Sequence, residues 1–195
     1  MKRFLAVLLI VTLLLSGCAG EKQAEELIIP PSLEASQVTA KVFGFVPYFS
    51  ETWSPGAEYY PELTGISEEG FISGVASIFD SGSYSNTRIA WERGNITTQS
   101  YVAVIFIVMK YENAVFAQRS YDSITGCEFE NFTYNGIALK SGVYYPPTWE
   151  GNDTWGGASS LQCYLIHSGC FIIFMYGQEK PLKDTLEGII EEFGN

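Results

Sequence analysis

Two runs of this chain are apolar on both faces, and they constrain its fold more than any other feature. The first is Tyr101-Val102-Ala103-Val104-Ile105-Phe106-Ile107-Val108-Met109, and the second is Cys170–Tyr176. A strand that buries both faces belongs in the middle of a sheet that is covered on each side. The first run ends in Lys110 and falls well short of the ~20 residues that span a bilayer core. Each run leads into a helical pattern. Over Glu112–Ile124, Ala114, Ala117, Tyr121 and Ile124 make an apolar stripe. After Pro181, whose missing N–H costs little at a helix start, Leu182, Leu186, Ile189, Ile190 and Phe193 line up opposite Lys183, Asp184, Glu187 and Glu191.

Each run also follows another strand. Thr87–Glu92 alternates, with Ile89 and Trp91 on one face. Leu161–Ile166 forms a hairpin with Cys170–Tyr176 around a turn at His167-Ser168-Gly169. The chain thus reads as two strand–strand–helix units, Thr87–Ile124 and Leu161–Phe193, at a spacing of roughly 70 residues, too long for a solenoid. Their central strands can pair into one antiparallel sheet with the helices packed on it, which is an α+β fold. Periodicity leaves open whether both helices share a face. Further strands are expected at Lys41–Val46, ending before Pro47, at Phe71–Phe79 and at Ile137–Tyr145, with loops over Ser50–Gly70 and Asp80–Asn86 and a turn at Gly94-Asn95. In outline this architecture is similar to the PsbP/Mog1-like sandwiches, some of which sit on lipoproteins.

The chain opens with Lys2 and Arg3, an apolar run Phe4–Leu15 broken only by Thr12, and then Leu15-Ser16-Gly17-Cys18. The run has the length of a signal-peptide apolar region rather than of a span. The stretch resembles the lipobox of prokaryotic lipoproteins. That resemblance implies cleavage before Cys18 and a diacylglycerol on its thiol, and two acyl chains suffice for stable anchoring. The expected organisation is a signal peptide over 1–17, a lipidated tether over 18–36 stiffened by Pro30-Pro31, and a single α+β domain over 37–195. The expected location is extracytoplasmic, at the cell surface or on the periplasmic face, with the membrane as partner through Cys18.

Loss of Lys2 and Arg3 takes the formal charge from -11 to -13. A balance that acidic disfavours nucleic acid and any direct grip on anionic lipid. Beyond Cys18 the cysteines are Cys127, Cys163 and Cys170. Across the expected hairpin Cys163 and Cys170 stand about 10 Å apart, beyond the ~7 Å that a disulfide tolerates between Cα atoms. Either Cys127 pairs with one of them or all three stay thiols.

The catalytic constellations are thin. His167 is the one histidine and falls in the expected turn, so a Ser-His-Asp or Cys-His arrangement would have to use it. Scattered thiols and one imidazole do not have zinc spacing, and Glu150-Gly151-Asn152-Asp153 lacks the order of a calcium loop. No metal or cofactor is expected, and no catalytic residue is assigned. Val143–Ser160 is a long loop rich in aromatics, and Tyr144, Tyr145, Trp149 and Trp155 are its candidate ligand contacts. Asn95, Asn131 and Asn152 each begin an Asn-x-Thr pattern in expected loops and are candidate glycosylation sites. These features point to a membrane-anchored protein whose domain binds a ligand or an envelope protein without catalysis. The alternatives are a carbohydrate-active hydrolase with carboxylates near the aromatic loop, or a structural subunit of an envelope complex.

Overall fold

The computed structural model describes residues 26–44, 50–53, 63–80, 102–145 and 160–195. The signal stretch with Cys18, the alternating segment Thr87–Glu92, Asn95, Trp149, Asn152 and Trp155 lie outside these residues. In chain order the elements are α1 (Ala35–Phe43), β1 (Ser50–Trp53), β2 (Phe71–Asp80), β3 (Val102–Tyr111), α2 (Ala114–Ser123), β4 (Glu130–Tyr134), β5 (Ile137–Tyr144), β6 (Leu161–Ser168), β7 (Phe171–Gly177) and α3 (Glu179–Phe193).

Among the described residues seven strands form one sheet in the order β1-β2-β3-β7-β6-β5-β4, with every neighbouring pair antiparallel. The fold is α+β, as the two apolar runs require. Those runs are β3 and β7, and they pair at the centre, from Val104↔Gly177 to Lys110↔Phe171. Side chains alternate across them. Val104, Phe106, Val108, Phe171, Ile173 and Met175 face a core shared with α1 and α3. Ile105, Ile107, Met109, Ile172, Phe174 and Tyr176 face a second core shared with α2. The units β2–β3–α2 and β6–β7–α3 therefore place their helices on opposite faces, which explains why both central strands are apolar on each side. Among the described residues, no helix is long and apolar enough to cross a membrane.

The N-terminal part departs from expectation. The strand expected at Lys41–Val46 is corrected in its described part, since Lys41–Phe43 closes the helix Ala35–Phe43; residues 45 and 46 lie outside the described residues. Ala35, Val38 and Thr39 are buried at helical spacing, and the Gln37 side chain accepts the Glu34 N–H at 2.7 Å. Gly44, in the left-handed region at φ 76°, ends the helix as a C-terminal glycine does. The spacer expected up to residue 36 is packed from Leu27 onward. Leu27 and Ile29 are buried, and Ile28 N–H donates to Phe193 C=O at 2.9 Å. Within the stretch expected as loop, Ser50–Trp53 pairs with β2 as an edge strand.

Around α2 and the later strands the differences are smaller. Asn113 caps α2 with its side chain, accepting from Val115 and Phe116 N–H. Ala114 is exposed, and Ser120 takes a place in the buried stripe, where Tyr111 Oη–H donates to its Oγ at 2.7 Å. The strand before β5 was not expected. Tyr134 pairs with Ile137 across Asn135-Gly136, at φ 50° and 89°, the two-residue hairpin loop that Asn-Gly favours.

Candidate ligand-binding cleft at a fork in the sheet

The hairpin between β6 and β7 turns one step later than its sequence suggests. Ser168 pairs with Phe171, so the loop is Gly169-Cys170, with Gly169 at φ 56°. His167 thus belongs to β6, paired with Ile172, and is half-buried rather than exposed in a turn.

That shift places His167 at a fork. The β5–β6 ladder runs from Tyr144↔Leu161 only to Lys140↔Leu165. Beyond it, Ile137, Ala138 and Leu139 pair with β4, whereas Ile166, His167 and Ser168 pair with β7. The strands part, and a cleft of about 660 Å³ opens between them. Its walls are His167, Tyr121 at the end of α2, Asn131–Thr133 of β4, Ile137–Leu139 of β5, and Glu26-Leu27.

The N-terminal segment is tied to this fork. Ile29 N–H donates to Ser168 Oγ at 3.1 Å, and Ser168 Oγ–H donates to Leu27 C=O at 2.6 Å. From the other side Lys140 holds the end of α2. Its Nζ donates to Tyr121 C=O at 2.8 Å and lies 4.2 Å from the Tyr121 ring centre, a cation at the carbonyl end of a helix. The Tyr121 ring stands 5.6 Å from the imidazole of His167. Burial, with the nearby Asp122 charge, pushes the Tyr121 hydroxyl up to about 12, so it remains a hydrogen-bond donor at ordinary pH.

The chemistry of the fork centres on His167. Its Nε2 is buried and has no partner among the described residues. Burial lowers its pKa from the usual histidine value, opposed by a hydrogen bond to the Gly169 backbone and by the Asp122 charge. With Nε2 unpartnered, Nδ1 is the nitrogen engaged by that backbone. A contact that favours the protonated ring is one to a carbonyl, so the neutral ring carries its proton on Nδ1 and keeps its lone pair on the buried Nε2, while the residue lines the cleft. The lining mixes the aromatic Tyr121, Phe132 and His167 with the polar Asn131 and Thr133, which suits a small ligand with an apolar face and hydrogen-bonding edges.

The sequence-assigned contacts fall elsewhere. Tyr144 is a core residue, 4% exposed, with its ring centre 4.4 Å from that of Tyr176. It is the last residue of β5 and points toward α2, so it does not present a ligand surface. Tyr145 is 69% exposed and lies past the strand end, away from the cleft. Asn131 is exposed, but on the edge strand β4 rather than in a loop, and it lines the cleft. Among the described residues, no three His, Cys, Asp or Glu side chains group as a metal site. Sequence reasoning missed His167 because it ended the alternation of β6 at Ile166. Extending that alternation through Ser168 would have put the histidine on the α2 face with Cys163 and Leu165.

No family model and no curated protein matches the chain. Among solved structures it is similar to the extracellular domain of PknH from Mycobacterium tuberculosis, at 14% identity and a TM-score of 0.32, over 83% of this chain and 91% of that one.

Proposed function

We propose that this protein is a lipid-anchored, extracytoplasmic binding protein that holds a small ligand in the fork between β5 and β6. The observation that carries the anchoring is Leu15-Ser16-Gly17-Cys18 directly after a short apolar run with a basic start. The observation that carries the binding is a cleft large enough for a small molecule, lined by aromatic and polar side chains that include His167, whose buried Nε2 has no partner among the described residues. The two are linked by the chain. Glu26 lines the cleft and stands eight residues after Cys18. A fully extended segment of that length reaches about 27 Å, so the fork stays close to the bilayer that holds the acyl chains.

Binding is favoured over hydrolysis by the lining itself. Among the described residues that line the cleft, Glu26 supplies the one carboxylate, and Asp122 stands near Tyr121 and His167 outside the lining. Glycoside hydrolysis uses two, about 5–9.5 Å apart.

Two experiments test the reading. Membrane fractions of the source cells, or of a bacterial host, should retain the wild-type protein, and Cys18→Ala should accumulate as uncleaved precursor. The single imidazole gives one set of ring resonances. Titration with a panel of mono- and disaccharides and small aromatic alcohols should shift those resonances for a binding class. Ala138→Trp, which fills the cleft from an exposed position on β5, should abolish the shift. Acyl-free Cys18, or identical responses in the wild type and Ala138→Trp, would contradict the reading.

A further inference from the structure

The sequence leaves the partner of Cys127 open, and the structure, in which Cys127, Cys163 and Cys170 are all free thiols, sets the three apart by their place on the sheet. Cys163 lies on the α2 face of β6, in the core with Ile105, Leu165 and Phe174, and is fully buried. Cys170 lies in the opposite core, with Phe171 and Met175 under α3. The sheet therefore stands between those two thiols. Cys127, half-buried in the segment between α2 and β4, packs against the α2-side core, and its thiol is hydrogen-bonded to that of Cys163.

The approach is built into the backbone. Gly142 pairs with Cys163 across β5 and β6. A Cβ on Gly142 would sit 2.9 Å from Glu128 C=O, 3.1 Å from Phe129 Cδ1 and 3.3 Å from Cys163 Sγ. The missing side chain leaves the space through which residues 127–129 close onto β6.

We propose that Cys127 and Cys163 form a disulfide in the exported protein, across the α2 face of the sheet, while Cys170 remains a thiol on the other face. The pairing rests on this geometry. The oxidant rests on the extracytoplasmic reading above, since that compartment supplies protein disulfides of the thiol-oxidase class. Cys127 Sγ, the more exposed sulfur, attacks the oxidase disulfide as a thiolate. An S–S bond to Cys127 forms, the oxidase S–S bond breaks, and one oxidase thiolate leaves. Cys163 then attacks Cys127 Sγ and expels the second oxidase sulfur. Two electrons and two protons pass from this chain's thiols to the oxidase, which ends as a dithiol. The hydrogen bond from Cys163 lowers the pKa of Cys127, whereas Cys163, as donor and by burial, is raised, which suits this order of attack.

The bond would also steady the cleft. Cys127 sits in the chain between Tyr121 and Asn131–Thr133, which form two of its walls.

The test uses the purified full-length protein in a glutathione buffer with the oxidised form in excess, followed by thiol capping in denaturant and peptide mapping. The expected result is a peptide containing Cys127 linked to one containing Cys163, with Cys170 capped. The link should persist in Cys170→Ser and vanish in Cys127→Ser, whose partly exposed site allows the change without loss of the fold. Capping of Cys127, Cys163 and Cys170 alike, glutathione retained on Cys127, or a link that Cys170→Ser removes would overturn the pairing. Protein quenched directly from cells adds a separate arm. If it is reduced there while the buffer closes the same pair, the pairing stands and the extracytoplasmic reading fails.

Discussion

Lys110 and His167 both lose most of their water when the chain folds, and their surroundings treat them in opposite ways. Lys110 is 8% exposed at the end of β3, yet its ammonium has partners. Its Nζ meets Glu34 Oε1 at 2.9 Å and lies 5.9 Å from the Phe171 ring centre. Glu34→Ala would strand that ammonium. The expected loss is about 1 kcal/mol, the upper range for an ion pair whose carboxylate is solvent-exposed. Adding Lys110→Met should recover most of it, because the stranded charge is then gone; denaturant midpoints of the two variants decide this. His167 is instead held neutral by burial. Its folded pKa lies below the ~6.5 of the unfolded chain, so its contribution to stability is complete above that pH. The contribution is lost as pH falls from about 6.5 through the folded value. Thermal melts at pH 7 and pH 5.5 should show the wild type losing more stability on acidification than His167→Gln. Equal losses would contradict the assignment of a buried neutral ring.

At the scale of elements, the β4–β5 hairpin is the arm that makes the fork. It turns on Asn135-Gly136, and Tyr134 Oη–H ties its end to Glu187 of α3 at 2.7 Å. That carboxylate bond pushes the Tyr134 hydroxyl up to about 12. Gly136 sits at φ 89°, which a side chain disfavours by about 1–2 kcal/mol. Gly136→Ala should therefore raise hydrogen exchange across residues 130–140 while leaving β3 and β7 protected. Uniform loss of protection throughout the sheet would show that the arm has no independence. The central elements were legible in the sequence because β3 and β7 carry their burial pattern on both faces. The arm was less so, since Glu130–Tyr134 is an exposed edge strand with little apolar alternation, and its one sharp signal is the Asn-Gly turn. Residues 35–43 were misread because Val38 and Val42 are β-branched and favour strand locally, whereas their spacing of four, Gln37 and Gly44 fit a helix. The cleft itself could not be read from the sequence. A fork depends on where a ladder stops, and no single residue records that.

At the scale of the molecule, two three-element units pack helices on opposite faces of one sheet, and the N-terminal segment crosses the fork before the fold begins. Leu27, Ile29 and the end of α3 meet there. A short length of chain separates Cys18 from Glu26 at the cleft, and the strongly acidic body does not itself favour an anionic membrane surface. Anchoring at Cys18 is the central claim, since the compartment, the oxidant for Cys127 and Cys163, and the ligands within reach of the fork all depend on it. The most direct measurement is the intact mass of the protein extracted from membranes, beside Cys18→Ala. The account predicts the mass of residues 18–195 plus a diacylglyceryl group, and no such mass in the variant. An unmodified precursor, or a soluble chain cleaved without lipid, would contradict it.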